Sequence, residues 1–373
     1  MKLLVLASAG GAAHRRTLVA LVEDASLHDD VRVLAPDAEG SLLRPIGVPV
    51  ESWNPAGLFN VLRSVDALRR AVERHAPDAI HAVGWTAAAV ALGALTPAQS
   101  SKTVVTLLDP IRGAEIPKQF VEKRLPELLQ RAGYATCAYR TLANALLERF
   151  GVAPERVEVI PPGVTPQLPR GSVRPPGRAG PVIGYLSRID ADSAWESAVD
   201  ALAVIAKTMP GASLWFASSG APHNAVHAFA RARGVHDRVR YFDHLPPAEF
   251  ARGIDLLAVP QGRDGLPYAL PQALADGVPA VATNSDGLAD TLLPFETGWL
   301  VPDGADGLVA GIEDAWPAID AAWAGAQSQR AAAIAAFDPS AVAARIRAAR
   351  ARAAGLPLDE NPKIPQADAK DAG

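Results

Sequence analysis

The chain has 373 residues, 49% of them hydrophobic, and a formal net charge of −4. That is too long for one ordinary core and apolar enough for two, so two domains are expected; the small negative balance excludes broad binding along a nucleic-acid backbone, which needs a basic excess. Cys137 is the only cysteine, which excludes a disulfide framework and a cysteine metal cluster.

The opening MKLLVLASAGG is apolar for too few residues to cross a membrane and reads as a buried strand running into Gly10 and Gly11. On this reading the chain is cytoplasmic, with a peripheral contact at the inner membrane face left open. Leu3 to Ala7 is a continuous apolar run, as in a parallel strand covered on both faces. A helix from about His14 to Glu23 follows, then a second strand over Val31 to Ala35. Leu58 to His75 is helical by spacing, with Leu62, Val65, Leu68 and Val72 on one side. Ala79 to Ala82, Thr103 to Leu107 and Val157 to Ile160 read as further strands with helices between them. This alternation predicts a doubly wound α/β domain.

Residues 165–181, TPQLPRGSVRPPGRAGP, are dense in proline and glycine and read as an interdomain linker. The alternation then restarts: strand Val182 to Leu186, helix Ala194 to Lys207, strand Ser213 to Ala217, helix Ala225 to Arg233. Strands Val239 to Phe242 and Leu256 to Val259 come next, then a short helix and strand Ala280 to Thr283. The expected fold is α/β, two Rossmann-like domains facing across a cleft: residues 1–165, then 166–336. A late helix at 337–353 is expected to pack back on the first domain, and the polar tail 356–373 to be disordered. Open α/β sheets bind ligands beyond the carboxyl ends of their strands, so the loops there are where chemistry is sought.

Gly10 and Gly11 follow the first strand and precede a helix, an arrangement that lets backbone N–H groups approach an anion, or simply makes a tight turn. The full dinucleotide glycine fingerprint is absent, since Ala13 and His14 stand where a third glycine would come. Arg188, just past PVIGYLS, is placed to hold a diphosphate by paired, charge-assisted bonds, or to pair with Asp190 or Asp192. In GRDGLPYALPQALADGVPAVATNSDG, residues 262–287, Asp264 and Gln272 frame a loop-to-helix junction. Pro271 lacks a donor and suits the first turn, so the helix begins near Ala269 or Leu270 and Gln272 lies in its first turn. An acid there accepts from sugar hydroxyls and a glutamine both accepts and donates; Asp264 as an ordinary turn or capping residue is the rival. His81 ends DAIHA and Asp109 ends TVVTLLD; either would orient an acceptor hydroxyl, and His81 reads equally as a satisfied, half-buried histidine. No His, Glu and Asp grouping has metal-ligand spacing, and no G-x-S-x-G elbow or Walker loop occurs.

Taken in order, these segments resemble retaining glycosyltransferases of family 4, which have the GT-B fold. VEVIPPGV, VIGYLSRID, GVHDRVRYFDHLPPAEF, IDLLAVPQGRDGLPYALPQALADGVPAVAT and ADTLLPFETGWLVPDGADGLVAGI carry the resemblance in the carboxyl half. LASAGGAAHRRTLVAL and PDAIHAVG carry it at the front. The resemblance implies a nucleotide-sugar donor held by the carboxyl-terminal domain and an acceptor held by the amino-terminal one. It implies no bound metal or cofactor. It assigns Ser187, Arg188 and Ser193 to the diphosphate side, Asp264, Gly265, Leu266 and Pro267 to the donor sugar, and Gln272 to the nucleotide ribose. Arg188, Asp264 and His81 are the catalytic candidates; Gly10, Gly11, His14 and Asp109 line the acceptor or phosphate side. Such an enzyme would serve a glycan, lipid-linked or small-molecule acceptor, with no nucleic-acid partner.

The sequence also departs from the family. Asp264 and Gln272 stand where the family has two glutamates, and Ser193 where it has a lysine. Val83 and Leu108 stand where histidines are often found. These departures motivate a second reading, a catalytically degenerate GT-B protein that binds a ligand or acts as a partner subunit. A nucleotide-sugar epimerase on the same fold would need acids and histidines converging on the sugar, and no such set stands out.

Overall fold

The computed structural model describes residues 1–357 apart from 11, 56–57, 112–117, 187–193, 218–222, 243–244 and 261–267. The chain forms two doubly wound domains. The first sheet has seven parallel strands: β1 (Lys2–Ala7), β2 (Asp30–Ala35), β3 (Val50–Ser52), β4 (Ala79–Val83), β5 (Thr103–Leu107), β6 (Tyr134–Cys137) and β7 (Val157–Val159). The second has six: β8 (Val182–Leu186), β9 (Ser213–Ala217), β10 (Val239–Phe242), β11 (Leu256–Val259), β12 (Ala280–Thr283) and β13 (Gly298–Val301). Their orders are β3-β2-β1-β4-β5-β6-β7 and β10-β9-β8-β11-β12-β13. Each sheet therefore reverses winding direction once, between β1 and β4 in the first and between β8 and β11 in the second. Those switch points are where an open sheet splays its strand-end loops apart and leaves a crevice.

The sequence explains the strands directly. Leu3, Leu4, Val5, Leu6 and Ala7 are all wholly buried, because helices cover both faces of β1. Leu58–His75 is a helix at both expected ends, and the helix after the 262–287 loop begins at Ala269.

The proline-rich stretch at 165–181 is fastened rather than free. Asp255, with no exposed surface, accepts from Arg174 Nε at 2.7 Å, Arg178 Nη1 at 2.9 Å and the Val182 N–H at 2.8 Å. Asp276 accepts from the backbone N–H groups of Gln167 and Leu168, and Arg330 donates to the carbonyls of Leu168 and Pro169. The chain returns beside this strap: the Val164 N–H donates to the Phe337 carbonyl at 2.8 Å. The last helix, Pro339–Ala354, then packs on β4, β5, β6 and the first helix, Ala12–Ser26.

The two domains also touch directly. Asp290, on Asp286–Leu292 of the second domain, accepts from Thr141 on Arg140–Glu148 of the first. Arg16 lies 4.8 Å over the ring of Tyr268, whose hydroxyl donates to the Gly163 carbonyl. Among the described residues no helix is long and apolar enough to cross a membrane.

Candidate active site

The switch point of the first sheet is built from short, specific pieces. Ser8 leaves β1 and is tied to β4 by its N–H, which donates to the Val83 carbonyl at 3.1 Å. Gly84 leaves β4 at φ +91, and a Cβ there would meet Ser8 Oγ at 2.2 Å and His14 Cε1 at 3.0 Å. Only glycine satisfies both the backbone angle and the space. A Cβ on Gly10 would meet His14 Cγ at 2.3 Å, so the imidazole is clamped between the loops that follow β1 and β4.

His14 is 3% exposed. Burial is the main cause that lowers its pKa to about 4, against the opposing charge of Glu39 and a hydrogen bond to the Ser8 backbone. The ring is neutral at neutral pH. A bond to backbone that favours the protonated ring is one donated to a carbonyl, and among the described residues Nε2 has no partner. His14 is therefore a neutral ring at this switch point, with its Nε2 buried. Glu39 is 1% exposed and accepts from Arg15 Nε at 2.9 Å. Beside Gly84, the helix Trp85–Ala94 starts without a side-chain cap, and Trp85 Nε1 donates to the Asp109 carbonyl at 2.7 Å. Gly10, His14 and Asp109 are thus gathered at one end of the first sheet. Ser8, Gly84 and Trp85 belong with them and escaped the sequence reading. The signal was present, since HAVGWT repeats the strand–glycine–helix pattern of VLASAGG.

His81 is a correction. The strand does not end there: β4 runs on to Val83, and His81 is wholly buried. Its Nε2 is 2.7 Å from Thr106 Oγ1, and its Nδ1 accepts from Arg350 Nε at 3.1 Å. Both nitrogens are used inside the protein, so at this position the ring orients no acceptor hydroxyl. Val83 and Leu108 are buried apolar residues.

Gln272 is half-buried in the helix Ala269–Asp276. Its Nε2 donates to the Thr165 carbonyl at 3.0 Å and to Asp276 Oδ2 at 2.9 Å. It ties the second domain to the strap, next to the two backbone bonds that Asp276 already accepts. Ser187, Arg188, Ser193, Asp264, Gly265, Leu266, Pro267 and Gly11 lie outside the described residues. In the chain, 187–193 follow β8 and 261–267 follow β11, the two strands of the second switch point. Among the described residues no group of three or more His, Cys, Asp or Glu side chains could hold a metal ion.

Residues 16–168 match the family model for Glycosyltransferase Family 4, and residues 180–316 match that for Glycosyl transferases group 1. The D-inositol 3-phosphate glycosyltransferase of Nocardia farcinica is 28% identical over 194 residues, which are 46% of this chain and 43% of that protein. The GDP-mannose-dependent alpha-(1-6)-phosphatidylinositol monomannoside mannosyltransferase of Mycobacterium tuberculosis is 28% identical over 260 residues, 64% of this chain and 66% of that one. The chain spans under half the length of several such relatives. Among solved structures, a glycosyltransferase from Rickettsia africae superposes with a TM-score of 0.73 at 15% identity, covering 94% of this chain and 98% of the other. Anabaena HepE in complex with UDP superposes with a TM-score of 0.71 at 19% identity, covering 93% and 99%. With one of these family models on each domain, in chain order, and the GT-B fold running through both, the chain belongs to the family 4 type of glycosyltransferases.

Proposed function

We propose that this protein transfers a hexose-type sugar from a nucleoside diphosphate sugar to an acceptor hydroxyl, with retention of anomeric configuration and without a bound metal. The observation that carries this reading is the second switch point. β8 and β11 are adjacent parallel strands, and the two segments that follow them in the chain contain Arg188 and Asp264–Pro267. The complex of Anabaena HepE with UDP and the GDP-mannose named for the mycobacterial relative support a nucleotide-sugar donor.

In this reading Arg188, with Ser187 and Ser193 beside it in sequence, neutralises the departing diphosphate. Asp264 and the backbone of Gly265 and Leu266 grip the sugar hydroxyls. A diphosphate oxygen takes the acceptor proton on the face from which it leaves, so no protein nucleophile is needed. On the acceptor side the neutral, buried His14 ring holds the loops of Gly10 and Gly84 together, and the open helix start at Gly84 favours an anionic acceptor. The acceptor is a glycan, a lipid-linked saccharide or a small molecule, met in the cytoplasm or at a membrane surface.

One observation favours the second reading, a binding or partner subunit with little transfer. Gln272 spends its amide on the strap and on Asp276. Calorimetric titration with UDP, GDP and ADP, alongside Arg188→Ala, separates the two. Binding of one nucleotide that weakens at least tenfold in the variant supports the transferase; absence of binding to all three moves the reading to the partner subunit.

A further inference from the structure

We infer that His223 and His227 form a bidentate site for a borderline divalent cation, Cu2+, Ni2+ or Zn2+, on the helix His223–Ala232 at the outer edge of the second domain. The two Nε2 atoms stand 3.2 Å apart and the ring centroids 4.3 Å apart. Two nitrogens each bound at about 2.0–2.1 Å to one ion, at angles of about 90–110°, stand about 2.9–3.4 Å apart. The pair is already at chelating separation.

The geometry follows from the sequence HNAVH. Positions i and i+4 share one helical face, so the two imidazoles rise side by side from consecutive turns. Val226 and Ala230 face the core and fix which side is outward. The edge of His223 meets the ring of Tyr241, on β10, with centroids 4.9 Å apart, which restrains one of the two imidazoles. His227 is held toward its neutral, metal-binding form, first by burial and then by the charges of His223, Arg231 and His236. Without metal, one ring donates Nε2–H to the other. Binding requires only that this proton sit on Nδ1 instead, leaving both Nε2 lone pairs on the ion, so two neutral rings release no net proton. Among the described residues no third protein ligand joins the pair. Imidazole nitrogens suit these three ions, and copper is expected to bind more tightly than zinc.

The test uses the untagged protein, so that no added histidines compete. Calorimetric titration with CuCl2 and ZnCl2 in a weakly coordinating buffer is expected to give one ion per chain. His223→Ala and His227→Ala are each expected to weaken binding by about tenfold or more, because a chelate loses its second arm. The electron paramagnetic resonance spectrum of the copper form should show nitrogen coupling that is lost in the double variant. Both positions are on a helix where alanine is well tolerated, and a circular dichroism melt checks the fold of each variant. If an alanine variant does not fold, His227→Gln supplies the same comparison. No stoichiometric uptake, or uptake unchanged in the double variant, overturns the proposal.

Discussion

Arg350 donates through Nε to Nδ1 of His81 at 3.1 Å, joining the last helix to the middle of the first sheet. Both side chains are wholly buried. Because Arg350 has only donors, His81 Nδ1 must carry the lone pair and Nε2 the proton, which goes to Thr106 Oγ1 at 2.7 Å. Thr106 and Thr136 hydroxyls are in turn 2.7 Å apart, so the line runs from the last helix through β4 and β5 to β6. Burial and then the Arg350 charge keep the ring neutral, with its pKa well below the usual value. Arg350 is itself lowered to about 10 by burial and stays charged at neutral pH. His81→Ala leaves a buried guanidinium short of an acceptor and is expected to cost about 2–3 kcal/mol, or about 4–12 °C in Tm. Nucleotide affinity in the other domain should persist. A variant as stable as the parent but unable to transfer would return His81 to the acceptor side.

Two buried histidines set a pH dependence. In the unfolded chain both rings regain a pKa near about 6.5, while burial holds His14 at about 4 and His81 well below its usual value. Below pH ~6.5 the unfolded chain binds the more protons, so stability is full above that pH and falls as the pH drops toward the folded values. Each histidine contributes a slope of about 1.4 kcal/mol per pH unit in that window. Urea unfolding at stepped pH between about 6.5 and 4.5 should show His14→Gln with the shallower fall, by roughly one histidine's share. Parallel curves would mean that His14 titrates alike in both states.

A single bond set spans the domains at Asp290. Its Oδ2 accepts from the Thr141 N–H at 2.7 Å and from Thr141 Oγ1 at 3.1 Å, so a carboxylate of the second domain caps a helix start of the first. Both the open N–H and the helix dipole favour the negative charge. Asp290→Ala is expected to cost about 1–2 kcal/mol and to raise the radius of gyration seen by small-angle scattering, as the domains hinge more freely. Asp290→Asn keeps an acceptor and should fall between the two. Scattering unchanged in the alanine variant would show that other contacts alone set the domain angle.

What the sequence made legible follows from which interactions are local. β1 was readable because a parallel strand buried on both faces leaves a continuous apolar run, and β2 because Val31, Val33, Leu34 and Ala35 are buried around a single exposed Arg32. Leu58–His75 was readable because Val65, Leu68 and Val72 repeat over several turns, although Leu62, expected on the same side, is exposed. Val50–Ser52, Tyr134–Cys137 and Gly298–Val301 were not read although strands as short as Leu256–Val259 were: VES and YATC break the apolar run with Glu51 and Thr136, and GWLV opens on a glycine. His81 misled because its partner, Arg350, is 269 residues away. A polar residue near a strand's end looks the same whether it faces a cleft or answers a buried arginine. Arg174, Arg178 and Asp255 were not singled out for the same reason: a run of prolines, glycines and arginines reads as an interdomain linker, and what fastens it shows only once the buried carboxylate is known. The acceptor-side loop was half legible. Gly10 and His14 were found, but Gly84 was not, since its need for a positive φ and for the space held by Ser8 and His14 shows only once β1 and β4 are neighbours.

The departure at Gln272 is expected to resist simple repair. Restoring the family's glutamate with Gln272→Glu would exchange a donor for an acceptor. Its amide Nε2 now donates to Asp276 Oδ2 at 2.9 Å and to the Thr165 carbonyl at 3.0 Å. A glutamate would set one carboxylate against another and leave the Thr165 carbonyl without this donor. The like-charge contact and the lost bonds together predict a loss of about 1–3 kcal/mol. Asp276 cannot relax away, because its Oδ1 also accepts the Leu168 N–H at 2.9 Å and its side chain is buried. The single variant should therefore melt earlier and gain no nucleotide affinity. In Gln272→Glu with Asp276→Asn, the new Asn amide can donate back to the glutamate, and part of the lost stability should return. Thermal melts and nucleotide titrations on the two variants decide it. A single glutamate that raises affinity without loss of stability would mean that the side chain turns to the ribose, and that its bonds to the strap are dispensable.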